Sequence, residues 1–232
     1  MHTEIDTSPA VYAAMLAAVV LSTTAIYLIT ESVVASILAN AIAFGVLALL
    51  YVEVQHHEIA DRRALARFIL DIRRPALGSV LLAFLVVAVG VGIRIGVGVV
   101  KSVLAPTQAT ATHSVTQASP PSGVQLLVII GVVVVFGPLI EELVFRGLLQ
   151  RLLTRHVGWV AAIAVTAGVF AVMHVPNYGG FGTPLAQLVV PLSVLAADAI
   201  LWGWLYARSG NVAVPWVAHA GSNALALVLW VT

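Results

Sequence analysis

Apolar runs about twenty residues long recur along the chain, and this pattern admits few folds. A helix needs about 20 mostly apolar residues to cross a bilayer. In hydrocarbon its backbone polar groups must be satisfied internally. Residues 11–30 and 33–52 meet that length as a hairpin around Glu31. Further spans are expected over about 76–100, 124–155, 157–173, 185–206 and 212–231. Of the 232 residues, 61% are hydrophobic and only 9% charged, against about 25% charged in a soluble domain. The expected fold is an all-α, polytopic transmembrane bundle of seven or eight membrane helices around a polar cavity. The net charge of +1 gives no case for a nucleic-acid partner. The chain has no cysteine, so disulfides, thiol nucleophiles and Cys-based zinc sites are excluded.

Two polar segments divide the spans. Residues 53–74 hold Arg62, Arg63, Arg67, Arg73 and Arg74. Such a loop stays cytoplasmic under the positive-inside rule, which predicts a multi-pass protein of the cell membrane with a cytoplasmic N-terminus. Ala64, Leu65, Phe68, Ile69 and Ile72 would lie on one face of a surface helix there. Residues 101–123, rich in Thr, Ser, Gln and Pro, read as an extracytoplasmic loop. That loop separates an N-terminal three-helix region, 1–123, from a C-terminal four-helix core, 124–232. Arg94 is expected to reach the bilayer interface from its span.

Charge then appears where it is expensive. After the apolar run 124–136 come Glu141, Glu142 and Arg146. A charge near the bilayer centre costs about 2.5–3.5 kcal/mol on insertion scales, so an ionisable residue there is read as functional by default. Three pairs share one spacing: Glu142 and Arg146, Phe170 and His174, His219 and Asn223. Residues four apart lie on one helix face, so three helices can each aim two side chains into a common space. If the chain turns near His156, Glu142 and His174 lie within roughly one turn of the same depth. His219 follows the turn at Gly210 too closely to match, so the last helix must start deeper or tilt.

Peptide hydrolysis needs a base to activate water, donors for an oxyanion and an acid for the leaving amine. Glu142 faces Arg146, which leaves Glu141 as the freer base. His174 could share the water. His219 and Asn223 are candidate oxyanion donors, and Phe170 a pocket wall. The bland readings are a buried ion pair for Glu142–Arg146, carbonyl capping by His174, and interhelical hydrogen bonding by His219 and Asn223.

The ordered pattern of Glu141-Glu142-x-x-x-Arg146, Phe170-x-x-x-His174 and His219-x-x-x-Asn223 resembles the CPBP intramembrane proteases. These include type II CAAX prenyl endopeptidases and bacteriocin-processing or self-immunity relatives. Pro138, Phe145-Arg146-Gly147 and the stretch from Gly203 to Gly210 resemble the family too. The resemblance covers about residues 124–231; the first 120 match nothing recognisable. It implies a glutamate-dependent endopeptidase acting on a membrane-embedded or lipid-anchored protein or peptide. Glu141 and His174 would activate water, with Glu142 and Arg146 beside them, and His219 and Asn223 would form the oxyanion hole. This reading requires no cofactor. A divalent metal such as zinc stays open, with Glu141, His174 and His219 as its ligands. The rivals are a non-catalytic immunity or scaffold protein and a proton-coupled transporter.

Overall fold

The computed structural model describes residues 75–104, 123, 126–127, 130–180 and 182–231. The hairpin expected over 11–52, the basic segment 53–74 and most of the polar loop after Leu104 lie outside these residues.

Every described element is helical, and no strand occurs among the described residues. Helix α1 runs Leu77–Leu104, just after Pro75. A π-helical segment, Ile130–Phe136, leads into α2, Gly137–Glu142. A second π-helical segment, Leu143–Gln150, leads into α3, Arg151–Met173. A 3-10 turn over Val175–Tyr178 connects to α4, Leu185–Ser209, and α5 covers Ala213–Val231.

Among the described residues, three continuous helical stretches are long and apolar enough to cross a membrane: Leu77–Val100, Ile130–Met173 and Leu185–Ser209. The second folds back on itself. Gly158 has φ 78° and ψ 162°, far from helical values. The Phe145 and Phe170 ring centroids stand 5.0 Å apart. A straight helix would separate those residues by about 37 Å, so the chain reverses at Gly158. The reversal expected near His156 therefore falls two residues later, where glycine tolerates a positive φ.

Large apolar side chains cover the outside. Leu81, Phe84, Leu85, Ile95, Val165, Val172 and Val189 are all exposed. An apolar exterior around a buried polar interior suits lipid as the surrounding solvent, and the chain is a membrane protein. Ala83, Val86, Val144, Phe145, Phe170, Trp202, Leu205, Val214 and Ala218 build the core.

The two π-helical segments flank the glutamate pair. In a π-helix the N–H bonds to the carbonyl five residues back. Pro138 has no N–H to give Val133, and the Val133 carbonyl instead accepts a hydrogen bond from Asn223 Nδ2 at 2.9 Å. Trp216 Nε1 donates to the Val135 carbonyl at 3.0 Å. Two side chains of α5 thus hold the irregular backbone that delivers Glu141. A Cβ on Gly137 would stand 2.7 Å from the Val132 carbonyl oxygen. Gly137→Ala is therefore expected to cost about 1–3 kcal/mol, the range for overpacking, read as thermal unfolding in detergent.

Helix α1 joins α4 through an ion pair between Arg94 and Asp198. This corrects one expectation: Arg94 pairs with Asp198 across the bundle rather than reaching for the bilayer interface. A Cβ at Gly90 would meet Asp198 Oδ1 at 2.8 Å, so glycine lets the two helices close over the pair. Tyr178, in the 3-10 turn, lies in the field of these charges. Burial, above all, pushes its phenol up to about 12.

The start of α5 is packed inside the bundle. Asn211, Val212, Ala213 and Val214 are all buried, and the Asn211 side-chain carbonyl caps the start by accepting from the Ala213 N–H at 3.0 Å. His219 reaches Glu142 from this helix.

Candidate active site

Glu142 and Arg146 sit one turn apart, and Arg146 Nε lies 3.1 Å from Glu142 Oε2. Their side chains are 0% and 1% exposed. Arg146 Nη2 also donates to the Ala199 carbonyl of α4 at 2.9 Å. Its Cζ lies 5.4 to 5.8 Å from the ring centroids of Phe170, Trp202 and Phe145. Three ring faces around a buried guanidinium supplement the carboxylate with cation–π attraction.

Helix α5 brings His219 to the same carboxylate. His219 Nδ1 and Glu142 Oε1 are 2.8 Å apart. A carboxylate only accepts, so with Glu142 ionised the ring donates from Nδ1. Glu142 is thus shared between Arg146 and His219. The other ring nitrogen, Nε2, faces Glu141 Oε2 at 3.7 Å. That is too long for a direct hydrogen bond. Glu141 is 20% exposed and His219 4%, so among Glu141, Glu142, Arg146 and His219 only Glu141 has appreciable contact with the surroundings.

Phe170 ties His174 to this cluster. Its ring is fully buried, 4.5 Å from His174 and 5.8 Å from His219, centroid to centroid. His174 is the C-cap of α3, with φ −90° and ψ −1°. Its Nδ1 lies 2.7 Å from the Phe170 carbonyl. A carbonyl accepts, so Nδ1 carries the proton, and in the neutral ring the lone pair lies on Nε2. The reversal at Gly158 makes α3 antiparallel to the segment bearing Arg146. Phe170 lies against Arg146, so His174 comes one turn further on, toward the level of Glu142.

The structure therefore brings Glu141, Glu142, Arg146 and His219 into one cluster, with His174 adjoining through Phe170. Asn223 is engaged with the Val133 carbonyl, which uses one of its two amide hydrogens. No cluster residue lines the cavity of about 300 Å³ between the starts of α1 and α5 and the end of α4. Among the described residues, no three His, Asp or Glu side chains form a metal-holding group. Glu141, His174 and His219 do not converge as a ligand set, with Phe170 lying against both histidines.

Three groups of the site carry no motif signature. Trp202 stacks on His219 with centroids 3.8 Å apart and planes at 16°. The Ala199 carbonyl holds Arg146. Gln150 Nε2 donates to the Gly203 carbonyl at 2.9 Å. For Gln150 a signal existed, since Glu142, Arg146 and Gln150 are spaced four apart. Trp202 had none beyond being an aromatic in an apolar span.

Comparison with known families adds one finding: residues 123–225 match the family described as type II CAAX prenyl endopeptidase Rce1-like. Comparison with curated proteins and with solved structures finds no match.

Proposed function

Because residues 123–225 match the family described as type II CAAX prenyl endopeptidase Rce1-like, we propose that this chain is an intramembrane protease that hydrolyses a peptide bond in a membrane-embedded or lipid-anchored, CAAX-type protein. The reaction runs within a helix bundle of about seven spans, in a polar space at the carboxylates. Glu141 is the general base. It takes a proton from water, that water attacks the scissile carbonyl, and as the tetrahedral intermediate collapses the C–N bond breaks and Glu141 passes the proton to the leaving amine. His174, through Nε2, orients the same water. The oxyanion is held by His219 and by the second amide hydrogen of Asn223. Glu142 and Arg146 hold His219 in place, and no step is routed through a metal.

The observation that carries this reading is the cluster itself. Two carboxylates stand side by side, one locked between Arg146 and His219, the other accessible and 3.7 Å from the imidazole. A purely structural ion pair accounts for Glu142 and Arg146 but leaves Glu141 without a task.

The test compares N- and C-terminal peptide profiles of membranes from cells making the wild type or Glu141→Gln, each with and without a chelator. New termini in a membrane or lipid-anchored protein, seen only with the wild type and insensitive to chelation, are the expected result. Their loss on chelation, with metal found by direct analysis, would replace the metal-free mechanism. Identical profiles from equally folded proteins, together with no cleavage of a prenylated CAAX peptide by the purified chain, would favour the immunity or scaffold reading.

A further inference from the structure

Resting on the reading of His219 as a donor in peptide hydrolysis, we propose that Trp202 is a positioning residue. Its indole sets the plane of the His219 imidazole, so that Nδ1 stays on Glu142 while Nε2 faces the reacting groups.

One hydrogen bond does not orient an imidazole. The contact from His219 Nδ1 to Glu142 Oε1 fixes one atom and leaves the ring free to swing about it. A near-parallel indole 3.8 Å away removes that freedom. Phe170 meets the imidazole edge-to-face, at 5.8 Å and 73°. Phe170 also meets Trp202 at 5.8 Å and 86°, so the three rings brace one another.

The indole has no freedom of its own. Trp202 is 1% exposed, and α4 is pinned around it. One turn earlier, Asp198 pairs with Arg94 of α1. Three residues earlier, the Ala199 carbonyl accepts from Arg146. The next residue, Gly203, accepts from Gln150 through its carbonyl. Helix α4 contributes none of the three motifs, yet it touches Arg146, His219 and Gln150 on one face.

The test uses the full-length chain in nanodiscs, with a prenylated CAAX peptide or the substrate found by terminal profiling. Trp202→Leu is expected to lower kcat about 10–100-fold with KM little changed, as misplacement of a reacting group does. Trp202→Phe keeps a ring face and should stay within about threefold of wild type. In a His219→Ala background, Trp202→Leu should change nothing further. If the leucine variant does not fold, Trp202→Met takes its place. A second readout needs no activity. Proton NMR with 15N-histidine should show a His219 Nδ1–H signal, assigned by its loss in His219→Ala, that Phe keeps and Leu loses. Equal losses for Leu and Phe, a full effect of Trp202→Leu without His219, or an unmoved signal would overturn the proposal. Absence of any wild-type cleavage would bear on the proposed reaction instead, and the NMR result alone would then decide the role of Trp202.

Discussion

Glu141→Gln is expected to leave a folded, membrane-inserted chain that no longer cleaves. The substitution conserves shape and removes only the ability to take a proton. General base catalysis contributes about 10²- to 10⁴-fold, so cleavage should fall by that factor. Stability should barely move, because Glu141 holds nothing in place. Its nearest ionic partner is His219 Nε2 at 3.7 Å, and it is the accessible carboxylate of the pair. Cleavage rates and thermal unfolding of the same nanodisc preparation measure both. Full activity of the glutamine variant would remove Glu141 as base. A fall in melting temperature that tracked the loss of activity would make it a structural residue.

The elements that spacing alone determines were readable before the fold. A separation of four places two side chains on one helix face whatever surrounds the helix, so the pairing of Glu142 with Arg146 could be expected, and the structure has it. The reversal after Arg155 and the starts of α4 and α5 were legible for a similar reason. Gly158, Pro184 and Gly210 interrupt apolar runs, and their backbone behaviour is local.

Contacts set by the rotation of one helix against another were not legible. No pattern within α5 says that His219 will meet Glu142 rather than Glu141. That choice depends on how the π-helical segments turn the glutamates, and π-helices carry no distinctive apolar period. The capping of Val133 by Asn223 was hidden for the same reason: it requires knowing that Pro138 leaves a carbonyl five residues back, not four. Arg94 and Asp198 lie far apart in the chain, each looking like a lone charge in a span. Only the approach of α1 and α4 at Gly90 shows them to be partners.

Removing the other glutamate should have the opposite profile. Glu142→Ala is expected to destabilise the chain by about 3–5 kcal/mol, the cost of breaking a buried pair and leaving its partner charged. Arg146 is then buried at 1% exposure with its carboxylate gone. The Ala199 carbonyl and the surrounding rings do not replace that negative charge. His219 loses the acceptor that holds Nδ1, so cleavage should fall as well, even at temperatures where the variant is folded. A second variant separates the two effects. Replacing Glu142 and Arg146 together by methionine removes both charges and fills similar volume. Such replacements of buried pairs are often neutral or stabilising, so most of the lost stability should return. Cleavage should not return, because His219 still lacks its acceptor. Thermal unfolding of the single and double variants, with cleavage measured well below both midpoints, decides the matter. If the double variant regains stability and activity together, Glu142 serves only to neutralise Arg146, and the imidazole is held by the rings alone.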